Sequence, residues 1–307
     1  MRILHVSDLH LAGDAAWHYG KVDTAARLVE LLDGLELASL PADRRPQVVV
    51  VSGDISNDDS AQSYDLALEL VGARVAGLGV PVVWAPGNHD NGAHYDRLHQ
   101  PHGAVAHHAR GVVTVPGGAV AVVDTRTPRR GFGQLPQEFD GLLHELASVD
   151  GERVLVMHHP PVPAPTALHH ALRLRGAEVW AEKVAASGVS LVLSGHYHLP
   201  GVHRWGRVPV VVGAAVANLT DPAAAWAEES ALAVHGLTLV DSRDPAAARF
   251  VRIGAAEPSQ VFRMDAERVR VVASWAGNPE EADGGMDDTG RARELAEVWR
   301  RHRPVGW

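Results

Sequence analysis

Leu191-Val192-Leu193-Ser194-Gly195-His196-Tyr197-His198 is an apolar run that stops at a glycine and then offers two histidines one residue apart. The run is too short and too apolar for a surface helix, so it reads as a covered strand, and the glycine lets the backbone turn without a Cβ clash. Imidazole is the commonest side-chain metal ligand, so the strand end reads as part of a metal site. The same order, an apolar strand followed at once by acid, amide or imidazole, recurs at Asp8-Leu9-His10, Gly53-Asp54, Gly87-Asn88-His89-Asp90 and His158-His159. Five such strand ends in one chain are hard to ascribe to chance.

The segments between these blocks follow suit. Arg2–Val6 reads as the first strand, with Asp8 and His10 just past its carboxyl end. Residues 22–40 carry Leu28, Leu31, Leu32 and Leu35 at helical spacing. Residues 47–51 are nearly all valine, which suits a strand covered on both faces in a layered α/β fold. Asp59 and Gln62 have capping-box spacing before a helix with Leu66, Leu70 and Val71 that runs out near Gly77 and Gly79. Residues 80–85 are the third strand. Residues 91–108 show no period and read as loop with short helix; His94, His99, His102, His107 and His108 there read as solvated loop rather than a further metal tract.

Residues 112–115 and 119–124 pair as a hairpin around Pro116-Gly117-Gly118, and residues 125–133 form a basic loop with Arg126, Arg129 and Arg130. Pro136 opens a helix bearing Phe139, Leu142, Leu143 and Leu146, and residues 153–157 are the strand that ends in His158. Val208–Val212, residues 231–240 and residues 249–253 read as later strands without metal-type ends, forming the second sheet of a sandwich. Residues 1–254 are therefore assigned to a catalytic domain and residues 255–307 to a C-terminal extension. The extension reads as a strand at 269–274, an acidic glycine-rich loop at 277–290 and a short helix at 291–301. It is expected to pad the sandwich, cover the active site or mediate a homodimer.

Composition narrows the chemistry. The 307 residues, 46% hydrophobic, can bury a full core. The formal charge of −9, from 28 basic and 37 acidic residues, disfavours extended nucleic acid as a partner but not a small phosphate substrate. With no cysteine, a metal site must be built from oxygen and nitrogen ligands. Neither a leader nor an apolar run of membrane-spanning length is visible, so a cytoplasmic protein is expected.

Two divalent ions about 3.5–4 Å apart clamp a phosphoryl group and lower the pKa of bound water towards ~7. Such a pair needs a shared ligand, and Asp54, isolated after Gly53, offers two oxygens, one for each ion. Asp8, His10 and His198 complete one ion; Asn88, His158 and His196 complete the other. This donor set accepts manganese, iron, zinc, nickel or cobalt, in divalent or trivalent form.

These blocks, in this order, resemble the calcineurin-like metallophosphoesterase family. The resemblance implies a four-layer α/β (α+β) fold, a two-sheet β-sandwich flanked by helices with a dinuclear metal centre at the strand ends. It also implies that His89 protonates the leaving oxygen, with Asp90 orienting it. Ile55-Ser56-Asn57-Asp58 replaces the Val-Asp-Arg-Gly of the protein serine/threonine phosphatases, and Asn57 stands where purple acid phosphatases carry a ligating tyrosine. The flanks, Gly53-Asp54-Ile55-Ser56 with Ser63-Tyr64 and Pro86 to Asp90, are most similar to the class III cyclic-nucleotide phosphodiesterases and their bacterial relatives. The motif blocks contain no arginine or lysine, which favours a singly charged diester over a nearly doubly charged monoester. Trp17, His18, Tyr19, Arg126 and His159 are the expected substrate contacts. A phosphomonoesterase on the same fold is the alternative function. A non-catalytic scaffold would have lost ligands that are all present here.

Overall fold

The computed structural model describes residues 1–99, 103 and 105–277. Two six-stranded sheets face each other. The first runs in the order Arg249–Gly254, Val234–Asp241, Arg2–Val6, Val48–Val51, Val82–Trp84, His107–His108. The second runs Gly201–Trp205, Val208–Val212, Leu191–Ser194, Glu152–Met157, Gly118–Val123, Gly111–Val115. Side chains alternate across each strand, so the valine runs serve two cores at once. Val48 and Val50 join Ile3, Val83, Val120, Val154, Val156, Leu191 and Leu193 between the sheets. Val49 and Val51 face outward with Leu4 and Val6, against Leu28 and Leu31 of helix Thr24–Gly34 and Tyr64 and Val71 of helix Ala61–Val75. On the far side, Phe139, Leu143 and Leu146 of helix Phe139–Ala147 and Val184 of Ala181–Ala186 cover the second sheet. The result is the expected four layers, helix on sheet on sheet on helix.

The strands that matter for the site are parallel: Arg2–Val6, Val48–Val51 and Val82–Trp84 in one sheet, and Gly118–Val123, Glu152–Met157, Leu191–Ser194 and Val208–Val212 in the other. Their carboxyl ends lie on one edge, and all five ligand blocks leave from that edge, where α/β sheets bind their ligands.

Several expectations are corrected. The strand read over 231–240 is two strands: Glu229–Leu232 and Val234–Asp241 belong to different sheets, and the Ala233 N–H between them donates to Ser259. Val234–Asp241, antiparallel to Arg2–Val6, and Arg249–Gly254, antiparallel to Val234–Asp241, extend the first sheet; of these three later strands only Val208–Val212 builds the second. Residues 269–274 are helical, within Ala266–Ala276, because the Asp265 carboxylate caps the Arg268 N–H and starts the helix before the valine run. The cap of Ala61–Val75 is Ser60, which accepts from Ser63 N; Asp59 instead takes the Tyr64 hydroxyl at 2.8 Å. The helix read over 22–40 ends at Gly34. His107 is a buried strand residue bonded to the Trp84 indole rather than solvated loop. His102, the helix over 291–301 and the loop over 277–290 beyond Gly277 lie outside the described residues. No helix of the described residues is long and apolar enough to cross a membrane.

Gln260–Met264, beyond the proposed catalytic domain, pairs antiparallel with Glu229–Leu232, which pairs in turn with Leu219–Thr220. Val269 of the following helix packs with Met264 and with Leu168 of Ala167–Ala171.

Candidate metal centre and catalytic site

The strand ends converge on one cavity of about 350 Å³, whose lining includes His10, Asp54, Asn88, His89, His196 and His198. The backbone reaches it by close approach. A Cβ on Gly53, whose φ is +100°, would stand 2.5 Å from His158 Nδ1, and one on Gly195 would overlap the Ser7 hydroxyl and Asp8 carboxylate. Asp8, Asp54, His10, His196 and His198 all have positive φ, half of the ten non-glycine residues that do among the described residues. Side chains rarely adopt this conformation unless the surroundings enforce it. Here the enforcing bonds are Asp8 N to Gly53 O at 3.1 Å, His10 N to Asp54 O at 2.9 Å and Gly195 N to His158 O at 3.0 Å.

Three groups of ligand atoms lie within 4.8 Å of one another: Asp8, His10 and His198; His10, Asp54 and His89; and Asp54, His158 and His196. His10 Nε2 faces His198 Nε2 at 3.3 Å, and His198 Nε2 lies 3.3 Å from Asp8 Oδ1. Asp54 Oδ1 accepts from the His89 N–H at 2.9 Å, which leaves Oδ2 to face both His158 Nε2 at 3.2 Å and His10 Nε2 at 3.6 Å. Asp54 Oδ2 is therefore within reach of ring nitrogens in both groups. His158 Nδ1 meets Ser52 O at 2.8 Å and His196 Nε2 meets Leu172 O at 3.0 Å. A ring nitrogen facing a carbonyl carries the hydrogen, so the other nitrogen of each ring is the lone-pair donor.

The residues fit metal ions on two further counts. Asp8 Oδ2 and Asn88 Oδ1 are buried without a hydrogen-bond partner, a cost native structures rarely leave unmet. Protons also sit where cations would. Burial opposes charge on His158, but Asp54 and Asp8 outweigh it and raise the imidazole to about 9. Burial likewise opposes His198, and Asp8 outweighs it and raises that ring. Burial would raise Asp54 and Asp8, yet His158 and His198 hold them below the ordinary carboxylate range. Each buried carboxylate thus favours positive charge on the imidazole beside it, the place a metal cation would take.

His89 lies beside His10, ring centroids 4.8 Å apart, and lines the cavity. Asp90 holds its loop: Oδ1 accepts from Ser56 N at 3.0 Å and the Tyr64 hydroxyl at 3.1 Å, and Oδ2 from Ile55 N at 3.2 Å and Gly87 N at 2.8 Å. Four donors fill a carboxylate's acceptor positions, so Asp90 fixes the turn of backbone that carries His89. Burial, with the Asp54 charge, raises Asp90 to about 6 against the pull of those N–H groups.

The expected substrate contacts divide. His18 and Tyr19 line the cavity, His18 Nε2 lying 3.1 Å from Asn218 Oδ1, with burial pulling its pKa down to about 3. Trp17 is 56% exposed and outside the lining. Arg126 is occupied by Asp124 at 2.6 Å and by the Asp90 carbonyl, over the Tyr95 ring. His159 is buried behind the site between the Thr125 hydroxyl at 2.8 Å and Gly131 O at 3.0 Å. Arg130 donates to Trp275 O. No lysine or arginine is among the described residues lining the cavity. Sequence reasoning missed Glu229, Asn218 and Phe262, which do line it; none sits in a ligand-type block, and no local signal marks them.

The whole His/Asp cluster lies within residues 1–200, which match the family model for calcineurin-like phosphoesterases. The chain is 29% identical over 222 residues to a probable cyclic nucleotide phosphodiesterase of Rhodococcus erythropolis, covering 71% of this chain and 72% of that protein. It is 30% identical over 222 residues to a cAMP/cGMP dual specificity phosphodiesterase of Mycobacterium tuberculosis, covering 71% and 68%. It is 29% identical over 172 residues to the glycerophosphodiester phosphodiesterase GpdQ of Enterobacter lignolyticus, covering 53% and 58%. With its strand ends, its ligand cluster and these relatives in agreement, the chain belongs to the calcineurin-like phosphoesterase family.

Proposed function

We propose that the chain is a metal-dependent phosphodiesterase that hydrolyses small diesters of the cyclic-nucleotide type. The carrying observation is a cavity that combines buried His/Asp groups with walls free of lysine and arginine among the described residues. Asp8, His10, Asp54 and His198 would hold one ion and Asp54, Asn88, His158 and His196 a second, from among manganese, iron, zinc, nickel and cobalt. Ions held there supply a nucleophilic water at neutral pH and a positive clamp on the phosphoryl oxygens.

The chain's own residues do the rest. Asp54, anchored by the His89 N–H, joins the two ligand groups. His89 gives its proton to the departing ester oxygen as the P–O bond breaks and water's oxygen joins phosphorus, so a diester yields a monoester and an alcohol. Asp90 and Tyr64 keep that imidazole in place by fixing its loop. A diester brings one negative charge, which the site accommodates beside Asp54, Asp58 and Glu229 without a fixed cation. The segment after residue 254 flanks this site through Phe262, and a cytoplasmic location suits a soluble diester substrate.

The test is kcat/KM on 3′,5′-cyclic nucleotides and bis-p-nitrophenyl phosphate against p-nitrophenyl phosphate, with Mn²⁺ and with chelator. Diesters are expected to lead and chelator to abolish turnover. A monoester preference moves the protein to the phosphatases or nucleotidases.

A further inference from the structure

Part of the cavity lining consists of residues that bond-breaking does not use. Glu229 and Phe262 both line it, from neighbouring strands of the three-stranded sheet. Phe262 packs on Tyr19 with ring centroids 4.5 Å apart. Tyr19 meets the His18 ring at 4.5 Å, and His18 lies 4.7 Å from His10. Aromatic surface thus runs from the ligand cluster towards this sheet.

Glu229 is 2% exposed. Its Oε2 accepts the Thr166 hydroxyl at 2.5 Å and lies 3.5 Å from His169 Nδ1. Its Oε1 is buried without a hydrogen-bond partner, although the Thr220 side chain stands near the carboxyl and, with Thr166, opposes the rise that burial causes, to about 7. A buried carboxyl oxygen left unpaired is a site for a donor. A phosphate cannot supply that donor, since it offers only like-charged acceptors, so the partner is on the organic part of the substrate. One open acceptor beside an aromatic wall fits a flat ring with a single outward N–H.

We propose that Glu229 and the Tyr19–Phe262 pair read the base of a nucleotide diester, the rings packing on the base and Glu229 taking its exocyclic amino group. This rests on the phosphodiesterase reading for where the phosphate sits. It makes a chain segment beyond the family-matched residues 1–200 the part that selects substrate.

The experiment compares kcat/KM on adenosine 3′,5′-cyclic phosphate, on the cyclic phosphate of purine riboside, which lacks the amino group, and on glycerophosphoethanolamine, which lacks a base. Wild type, Glu229→Met and Phe262→Leu are measured with Mn²⁺, and calorimetry follows the binding of adenosine, which cannot turn over. Glu229→Met is expected to lower the adenosine substrate about tenfold, the upper range for one hydrogen bond, and to leave the other two nearly unchanged. Phe262→Leu lowers both base-bearing substrates and weakens adenosine binding. Equal losses on all three substrates overturn the proposal. If Glu229→Met does not fold, wild type alone decides, because equal rates with and without the amino group overturn it too. Wild type inactive on every diester sinks the phosphodiesterase reading instead, while adenosine binding still tests the base wall.

Discussion

Within three residues the chain passes from Val51, packed in the core with no polar contact to make, to Asp54, a carboxylate with positive φ facing two imidazoles. The strand bodies are apolar, regular and satisfied; the strand ends are polar, conformationally forced and hold unpaired buried atoms. The difference teaches that the two regions divide the labour. Burial in the bodies stabilises backbone conformations at the ends that would not persist alone.

The sharpest way to break that division is Asp54→Ala. With the shared carboxylate gone, both ions are expected to be lost together and turnover to fall to the level seen with chelator. Two tightly held ions in that variant, by metal analysis, would remove Asp54 from its joining role. Next comes His89→Ala, expected to keep metal and fold while losing ~10²–10⁴-fold in kcat on substrates with poor leaving groups. The deficit shrinks with p-nitrophenolate, which scarcely needs a proton, and an equal deficit on both would make His89 a binding residue.

Gly195→Ala pushes a methyl into Ser7 and Asp8. A displacement of about 1 Å there should cost ~10²-fold in kcat/KM, and normal kinetics would show that the strand end is not tightly held. Leu191→Ala, four residues earlier in the core between the sheets, is expected to do the reverse. It lowers unfolding free energy by ~2–5 kcal/mol in denaturant titration and leaves kcat of the folded fraction intact.

The smallest effect is Glu229→Gln. Burial pushes Glu229 up to about 7 in the fold, from about 4.5 in the unfolded chain. Wild type therefore loses stability as pH rises through that window, by at most about 3 kcal/mol. The variant should gain on wild type from pH 5 to 7.5 in metal-free melts; a constant difference would mean that Glu229 is not protonated in the fold.

What the sequence made legible follows the same division. Apolar runs ending in acid, amide or imidazole gave the five ligand blocks, because a strand end and a ligand are both local signals. The distribution of later strands between the sheets was not legible. Val234–Asp241 pairs with Arg2–Val6, a long-range pairing with no local mark. Valines at 269, 271 and 272 imitate a strand, and the Asp265 cap decides otherwise. Glu229 escaped notice because its burial depends on strands and loops brought from 166, 220 and 262.

Arg2–Val6 lies between Val48–Val51 on one side and Val234–Asp241 on the other. During synthesis the first neighbour arrives early and the second roughly 190 residues later, some 10–40 s at about 5–20 residues per second. Throughout that interval the strand carrying Asp8 and His10 presents an open edge of unpaired amides, able to pair with another nascent chain. Overexpression should therefore strain solubility before catalysis, and slowing initiation or supplying a chaperone that shields strand edges should raise the yield of folded protein more than any change at the metal site.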